Sequence, residues 1–324
     1  MEAQRPPVTR PAVDVVVPFR GSGAELEELR VRLGRLSLRP GDTLVVVDNT
    51  PGRDPPGGAT GGQGGSSGDG GEGPGAGRGA GPGAVTMWAG ERPTPGFARN
   101  RGAERGAGEW LVFIDADTDP AADLLDRYFE PAPAPATGLM AGGVIDEQVP
   151  AEGPAPARYA YLRGTLNQSR TLALGRWAFV QTANAACRRA AFEGVGGFRE
   201  DIWPAEDADL TYRLREAGWE VERREHAAVV HHSRRTVRAL IRQAAGHGAG
   251  CAWLDRTYPG SFPKRRRPGL VWWAVRAAAK GLAGAVRRSD RDEAVWAVFD
   301  PLWEVSFELG RSLSIERRPR GRPQ

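Results

Sequence analysis

The chain has 324 residues, of which 40% are apolar, and a formal net charge of +4. This length allows one large domain, or one domain with an appendage. The two cysteines, Cys187 and Cys251, form no CxxC pair, which argues against a zinc site or a disulfide framework and favours a reducing cytoplasm. No uncharged apolar run reaches the roughly 18 residues that a transmembrane helix requires.

The first fifty residues predict a strand–helix–strand unit behind a leader. Residues 1–11 contain three prolines and are expected to be disordered. An apolar run over 13–17 predicts a strand that ends at Pro18. Leucines at helical spacing predict a helix over 24–36, and a second strand follows over 43–47.

Residues 51–84 are rich in glycine, which accounts for 16 of these 34 residues. Such a composition cannot bury enough apolar surface to order itself. We expect a disordered insertion in a surface loop, because the entropy of loop closure grows only slowly with loop length. A linker between two domains is the alternative, but the pattern of strands and helices continues after the segment and favours an insertion within one domain.

The rest of the chain predicts strands and short helices, followed by a helical C-terminal region. The predicted strands are 85–88, 110–114, 139–145 and 178–188, with a last strand that ends at Val229 and Val230. The predicted helices are 96–107, 123–128, 158–172, 190–195 and 207–217, and the chain is mostly helical from Arg234 onward. We expect proline-rich loops at 131–137 and 150–157.

Asp115-Ala116-Asp117 directly follows the apolar run 110–114, which predicts a buried strand. Open α/β sheets bind their ligands at the carboxyl ends of the strands. One intervening residue lets both carboxylates reach a single divalent ion, and hard oxygen ligands suit Mg²⁺ or Mn²⁺ together with a diphosphate. The alternative is an Asp-rich turn before Pro120.

The order of several short motifs resembles that of the family 2 glycosyltransferases. The matching segments are 15–18 (VVVP), 44–48 (LVVVD), 98–102 (ARNRG), 113–117 (FIDAD), 196–198 (GGF) and 206–210 (EDADL). Each motif alone is weak, whereas the ordered set over residues 13–235 is specific.

The resemblance implies an inverting, metal-dependent enzyme of the GT-A fold, which is an α/β fold with a mixed, mostly parallel sheet flanked by helices. We therefore expect a GT-A domain over 12–235, a helical C-terminal extension over 236–316 and a basic tail over 317–324.

The resemblance also implies a site for a nucleotide-diphosphate sugar. Its expected binding residues are Pro18, Asp48, Arg99, Asn100 and Asp115. Asp48 would accept hydrogen bonds from the base or the ribose, although an Asx turn with Asn49 is the alternative. Arg99 would face the diphosphate with both ends of its guanidinium, although a surface arginine that packs its stem is the alternative.

A divalent ion, Mg²⁺ or Mn²⁺, is expected on Asp117. Strand alternation lets only one of His231 and His232 face the site, and we expect His231 to complete the metal shell. The alternative is a polar strand end without a ligand role. Asp119 is expected to be a turn residue before Pro120.

Glu206 and Asp207 precede a predicted helix, where acidic residues are common as caps. The resemblance implies a sharper role, in which Asp207 is the general base that deprotonates the acceptor hydroxyl and Glu206 orients the base or the acceptor. Attack in one displacement would invert the anomeric carbon. Asp209 is expected to face solvent, and Asn184 and Trp203 are expected to line the acceptor pocket.

Residues 270–288 combine bulky apolar side chains with four basic ones and resemble a basic amphipathic helix. Such a helix can lie on an anionic membrane, although a helix packed on the catalytic domain is the alternative. We expect a cytoplasmic protein and no nucleic-acid partner, and peripheral contact with the inner face of the cell membrane would follow only if this helix is not packed on the domain. The expected acceptor is a small molecule, a glycan or a lipid-linked alcohol.

Three other functions compete with this interpretation. A phosphatase of the haloacid dehalogenase type also has Asp-x-Asp after a strand, but it requires Thr or Val where Asp119 stands. A sugar nucleotidyltransferase requires a glycine-rich phosphate loop after its first strand, and residues 19–23 match that loop poorly. The third is a non-catalytic nucleotide-sugar-binding or scaffold protein on the same fold, which the intact carboxylates disfavour.

Overall fold

The computed structural model describes residues 10–53, 84–263, 269–313 and 315. Most of the expected leader, most of the expected glycine-rich insertion and the whole expected basic tail lie outside these residues.

The described residues contain one mixed sheet of eight strands, in the order β3-β2-β1-β4-β7-β6-β8-β5. The strands are β1 Val13–Phe19, β2 Thr43–Asp48, β3 Val85–Trp88, β4 Trp110–Ile114, β5 Thr118–Pro120, β6 Thr137–Asp146, β7 Asn184–Arg188 and β8 Glu220–His231. Strands β3, β2, β1 and β4 are parallel, and β6 is parallel to β8. Strand β7 is antiparallel to β4 and β6, and β5 is antiparallel to β8.

Ten α-helices and a short 3₁₀ turn at Gly175–Trp177 accompany the sheet in the described residues. The helices are α1 Gly23–Leu33, α2 Pro95–Ala103, α3 Leu124–Tyr128, α4 Ala155–Arg163, α5 Gln168–Leu172, α6 Arg189–Gly194, α7 Glu206–Glu216, α8 Val237–Thr257, α9 Leu270–Arg288 and α10 Arg291–Gly310.

The central strands are buried on both faces, because apolar clusters lie on each side of the sheet. On one side, alternate valines of β1, such as Val15 and Val17, pack with the buried leucines of α1. On the other side, Val16 packs with Phe97 of α2 and with apolar residues of α6 and α7. This double burial explains why these strands appear in the sequence as nearly continuous apolar runs.

Strands β5 and β8 form the part of the sheet that the sequence did not predict well. Strand β8 spans twelve residues, but its first half reads Glu-Val-Glu-Arg-Arg-Glu and lacks an apolar run. Its charges pair within the sheet, as Arg224 does with Glu222. Strand β5 adds to the end of β8, with Thr118 opposite His231. The turn expected at Asp119 is therefore a short strand.

The single helix predicted over 158–172 is two helices. Helix α4 begins at Ala155, inside the predicted loop 150–157, because Pro156 is tolerated in a first helical turn. It ends at Arg163 and is capped by Gly164, whose φ of 60° is left-handed and favours glycine. The strand predicted over 178–188 is also shorter, since regular pairing begins only at Asn184.

The C-terminal helices pack on one another and on earlier helices, and their presence agrees with the predicted helical extension. Helix α10 packs against α8, α9 and α4. Tyr159 of α4, Leu240 of α8 and Trp303 of α10 share one buried cluster. Among the helices that the structure describes, none combines the length and the apolar character needed to cross a membrane.

Helix α2 lies directly on β1 at Gly102. A Cβ atom at this position would lie 2.3 Å from Val16 Cγ1 and 3.0 Å from Val47 Cγ2, so the close contact requires glycine. The contact fixes the height of α2 above the sheet. It therefore also fixes Arg99, which lies about one helical turn earlier on α2.

We expect Gly102→Ala to lower the free energy of unfolding by about 1–3 kcal/mol, because the added methyl group overpacks a rigid contact. Urea denaturation of the purified chain measures the change. The matched control is Gly194→Ala, also in a helix, where a new Cβ would meet no atom within 4 Å. The control should be neutral or slightly stabilising, and equal losses in both variants would contradict this packing argument.

Candidate active site

The Asp115-Ala116-Asp117 turn follows β4 and is fixed through its backbone. The Asp115 amide donates to the Ala183 carbonyl at 3.1 Å, and the Thr118 amide donates to the Asp115 carbonyl at 3.1 Å. The amide of His232 donates to the Asp117 carbonyl at 2.9 Å, which ties the turn to the end of β8. Because the backbone is held on both sides, the two carboxylates have defined positions.

Helix α1 also holds this turn, through Arg32. Its Nη2 donates to the Ala116 carbonyl at 2.9 Å, and its Nη1 lies 3.2 Å from Asp119 Oδ1. Sequence reasoning missed Arg32, because a basic residue late in a helix is fully explained by the helix dipole. Its contact with the turn depends on a neighbour more than eighty residues away in the chain.

Asp117 and His231 lie next to each other where β5 begins and β8 ends. His231 Nε2 is 3.8 Å from Asp117 Oδ2, and His231 Nδ1 donates to Asp146 Oδ1 at 2.9 Å. A carboxylate on the second ring nitrogen is the usual support of a metal-binding histidine. Two ligands of one Mg²⁺ ion can lie up to about 4.2 Å apart, which is twice the ligand distance. The pair therefore fits a shared divalent ion.

The choice between the two histidines follows from their contacts. The ring of His232 is occupied on both sides, by Glu147 and by Asp119, each at 3.0 Å. His231 keeps its Nε2 turned towards Asp117. In the described part of the chain, no three His, Cys, Asp or Glu side chains converge into a complete metal site. Substrate oxygens and water would have to complete the shell, as is common for Mg²⁺.

Arg234 approaches the same carboxylate from solvent. Its Nη2 lies 3.0 Å from Asp117 Oδ2, while half of the side chain is exposed. A half-exposed guanidinium can turn without disturbing the core. Sequence reasoning missed Arg234, although its position just after the two histidines was a usable signal.

Arg99 joins the two acidic motifs. Its Nη2 lies 2.7 Å from Asp115 Oδ1 and its Nη1 lies 3.0 Å from Glu206 Oε1. The side chain is buried, so the alternative of a surface arginine is wrong. The guanidinium also lies over the Phe198 ring, 5.4 Å from its centroid. Both terminal nitrogens contact protein carboxylates in this arrangement.

Asp207 lies in the first turn of α7, beside this bridge. Burial and, secondarily, the negative charge of Glu206 raise the pKa of Asp207 to about 7, while a hydrogen bond from the Ala208 amide opposes the rise. Burial also raises the pKa of Glu206, against the charge of Arg99. Raised carboxyl pKa values in a polar cleft are typical of catalytic groups.

The residue before this acidic pair is strained. Ala205 has φ 123° and ψ −2°, a backbone conformation that residues other than glycine rarely adopt. The Ala205 amide donates a hydrogen bond to the Glu206 carboxylate at 3.0 Å. Such strain is common at functional sites, where the surrounding structure holds it.

Asn100 follows Arg99 on α2, but its side chain is not turned towards Asp115. Its amide nitrogen donates to the Phe198 carbonyl at 2.9 Å and to Glu200 at 3.0 Å, and its oxygen accepts from the Phe198 amide at 2.9 Å. Gly197, with φ 68°, brings this loop so close that a Cβ would lie 2.8 Å from the Asn100 oxygen. Asn100 therefore holds the loop that follows Gly196-Gly197.

Pro18 and Asp48 lie at the carboxyl ends of β1 and β2, at the edge of the sheet from which Asp115 leaves β4. The Asp48 carboxylate accepts from the Thr50 amide at 2.9 Å and pairs with Arg53 at 2.7 Å. The first of these bonds is the Asx turn that the sequence offered as the alternative. The turn leaves Asp48 at the sheet edge, so it is compatible with a binding role.

Three expectations about single residues are wrong. Asp209 was expected at the surface, but it is fully buried and accepts from Tyr258 at 2.7 Å while pairing with Arg199 and Arg213. Asn184 was expected in the acceptor pocket, but it is fully buried and donates to the carbonyls of Gly143 and Ala227. The third is Asp119, which was expected in a turn but lies in strand β5.

Asn184 is buried because it links strands within the sheet, where its oxygen also accepts from Tyr128 at 2.7 Å. Asp209 is buried because α7 packs that side of its first turns against the end of α8. Trp203, in contrast, is 45% exposed beside the acidic pair and is free to contact a ligand.

The mixed sheet, the acidic turn after β4 and the acidic pair on α7 define the class of the GT-A transferases. A solved mannosyltransferase, PcManGT from Pyrobaculum calidifontis in complex with GDP-Man and Mn²⁺, has a similar structure with a TM-score of 0.53. The similarity covers 94% of this chain and 90% of that chain at 16% identity, so it concerns the fold alone. It confirms the predicted fold class.

The family model described as Glycosyl transferase family group 2 matches residues 110–298, more than half of the chain. The chain belongs to this family, which confirms the resemblance drawn from its motifs.

Two curated relatives match parts of the chain. The chain is 31% identical over 194 residues to a pre-mycofactocin glycosyltransferase of Mycobacterium tuberculosis, which covers 58% of this chain and 41% of the relative. It is 32% identical over 153 residues to the succinoglycan biosynthesis protein ExoA of Rhizobium meliloti, covering 46% of each. The chain thus matches less than half the length of these relatives.

We expect Asp209→Ala to lower the free energy of unfolding by about 1–3 kcal/mol, because it removes the buried carboxylate that accepts from Tyr258 and pairs with the largely buried Arg213. The matched control is Asp123→Ala, which removes an exposed helical pair with Arg127 and should cost less than about 1 kcal/mol. Chemical denaturation compares the two variants. A loss at Asp209 no larger than the loss at Asp123 would show that the buried cluster contributes little.

Proposed function

We propose that the chain is a metal-dependent inverting glycosyltransferase that moves a sugar from a nucleotide-diphosphate sugar to a hydroxyl acceptor. The Arg99 bridge carries this proposal, because it ties the donor-side carboxylate of Asp115 to the acidic pair on α7. Transfer in one displacement needs donor and base side by side. Residues 12–235 would be the catalytic domain, and residues 236–316 a helical extension.

The donor would bind across the carboxyl ends of β1, β2 and β4. Pro18 would form a wall of the pocket, Asp48 would accept hydrogen bonds from the nucleoside, and Asp115 would contact the nucleotide. The mannosyltransferase of similar fold was solved with GDP-Man and Mn²⁺, which favours a nucleotide sugar and a divalent ion here as well.

Asp117 and His231 would hold the divalent ion, Mg²⁺ or Mn²⁺. A bound ion would offset the negative charge that develops on the leaving nucleoside diphosphate. Arg234 would turn from Asp117 to the diphosphate, since its exposed side chain is free to move and a guanidinium suits phosphate oxygens.

Asp207 would take the proton from the acceptor hydroxyl. The hydroxyl oxygen forms its bond to the anomeric carbon while the bond from that carbon to the diphosphate breaks, and attack from the opposite face inverts the configuration. A pKa of about 7 supports this role, because about half of the carboxylate is then ionised at pH 7 and the ionised form is still basic. Glu206 would orient Asp207 and the acceptor.

Arg99 and Asn100 would act as positioning residues. The contacts of Arg99 with two carboxylates and of Asn100 with the Phe198 backbone support this assignment over direct donor binding. The acceptor would be a small molecule, a glycan or a lipid-linked alcohol, and Trp203 would contribute an exposed aromatic face. We propose a cytoplasmic site of action and no nucleic-acid partner.

Calorimetric titration with UDP and GDP, each with and without Mn²⁺, tests donor binding. We expect one nucleotide to bind only with metal, and we expect Asp117→Ala to abolish the metal-dependent part of the binding. The matched control is Asp119→Asn, whose carboxylate is turned to His232 and Arg32, and it should retain metal dependence. Absence of binding for both nucleotides in a folded sample would favour another donor or the scaffold function.

The proposed base predicts a pH dependence. Because Asp207 must be ionised and its pKa is about 7, kcat/KM should fall about tenfold for each pH unit below 7 and level off above it. Asp207→Asn should lower kcat by about 10²–10⁴-fold and leave nucleotide affinity unchanged. Near-normal turnover by this variant would contradict the base assignment.

The same group predicts a change in stability that is independent of turnover. A carboxyl whose pKa is raised by folding favours the folded state when protonated, and this contribution is lost as the pH rises through about 7. We therefore expect Asp207→Asn to raise the thermal midpoint at pH 8 relative to the unsubstituted chain. The gain should shrink steadily between pH 7 and pH 4, and a gain that does not change with pH would contradict the raised pKa.

A further inference from the structure

Helix α9 buries its small residues and exposes its large ones. Its buried positions are Ala274, Gly284 and Ala285. Gly281 lies so close to α10 that a Cβ there would be 2.6 Å from Ala297 Cβ. A helix that served only to fill the space against α10 would show the opposite distribution, with bulky side chains inside.

The exposed side of α9 carries a band of bulky apolar side chains. Val271, Trp272 and Val286 are 66%, 64% and 78% exposed, and Val275 and Leu282 are exposed as well. At 3.6 residues per turn, the four aliphatic members of this group fall within about 60° of one another around the helix. We call Val271, Trp272, Val275, Leu282 and Val286 the apolar band of α9.

A row of positive charges flanks the apolar band. This row consists of Arg276, Lys280 and Arg287, which lie about 100–140° around the helix from the middle of the apolar band. All three side chains are exposed. Among the described residues, none of the three forms an ion pair, and Arg276 lies over the Trp272 ring at 5.6 Å. Helix α9 contains no acidic residue. Arg288 differs from this row, because it pairs with Glu293.

We propose that α9 binds the surface of an anionic phospholipid bilayer, with the apolar band in the acyl-chain boundary and the row of positive charges against the lipid phosphates. Charge complementarity selects this partner: the row is purely cationic, and it lies beside the apolar band at the angle that a helix in the plane of the interface requires. A nucleic acid would leave the apolar band in water. This binding is independent of the proposed catalysis, since none of its residues belongs to the active site.

The full-length chain should sediment with phosphatidylcholine vesicles in which a third of the lipid is phosphatidylglycerol, and much less with phosphatidylcholine alone. Trp272→Ser with Val286→Ser should weaken binding to the anionic vesicles at least tenfold, because two exposed apolar groups are removed from the interface. The matched control is Val31→Ser on α1, whose 66% exposure is close to the 64% of Trp272, and it should bind normally.

A second variant tests the charges. Arg276→Gln, Lys280→Gln and Arg287→Gln together should weaken binding to anionic vesicles roughly 100-fold, since each basic residue near such a surface contributes about one kcal/mol. The control is Arg105→Gln, an exposed arginine beyond α2. Because all changed side chains are exposed, circular dichroism should show unaltered folding.

Two outcomes would overturn the proposal. One is a folded chain that binds neither kind of vesicle. The other is a chain that stays off vesicles but forms a dimer in light scattering which Trp272→Ser with Val286→Ser dissociates, since α9 would then be an interface between copies. The assay contains no donor and no metal, so failure of the proposed glycosyl transfer would leave its result unchanged, and its failure would leave the nucleotide titration unchanged.

Discussion

The guanidinium of Arg99 lies buried between the Asp115 carboxylate, at the end of β4, and the Glu206 carboxylate, at the start of α7. A buried cation requires paired anions, because desolvation of an unpaired charge costs several kcal/mol. The two acidic motifs are far apart in the chain, and this one side chain fixes the distance between them. Its own position follows from the contact of Gly102 with β1.

The charges around Arg99 do not balance, and the imbalance has a chemical effect. One cation faces Asp115 and Glu206, and a third carboxylate, Asp207, lies beside them. Burial and, secondarily, the negative charge of Glu206 raise the pKa of Asp207. The strained backbone at Ala205 holds that carboxylate at the helix start. The buried bridge at Arg99 thus leaves Asp207 with the properties of a base.

The sequence predicts those parts of the molecule whose signal is local. Continuous apolar runs gave the central strands, and acidic residues just after those runs gave the site at the sheet edge. Asp209, Asn184 and Arg32 could not be assigned in this way, because their roles depend on partners from distant segments. Asp209 looks like any acid in a first helical turn until Tyr258 and Arg199 are placed beside it. The first half of strand β8 was not predicted, because it lacks an apolar run and its charges pair within the sheet.

The separation of the two acidic motifs also has a consequence for biosynthesis. Arg99 precedes Glu206 by 107 residues, whereas the four parallel strands lie within the first 114 residues of the chain. Translation adds about 5–20 residues per second, so Arg99 and Asp115 are synthesised several seconds before α7. Until α7 is synthesised, Asp115 is the only one of the two carboxylate partners of Arg99 that is present. A nascent chain would therefore contain the acidic turn after β4 before the acidic pair on α7, and His231, at the end of β8, would be synthesised after both.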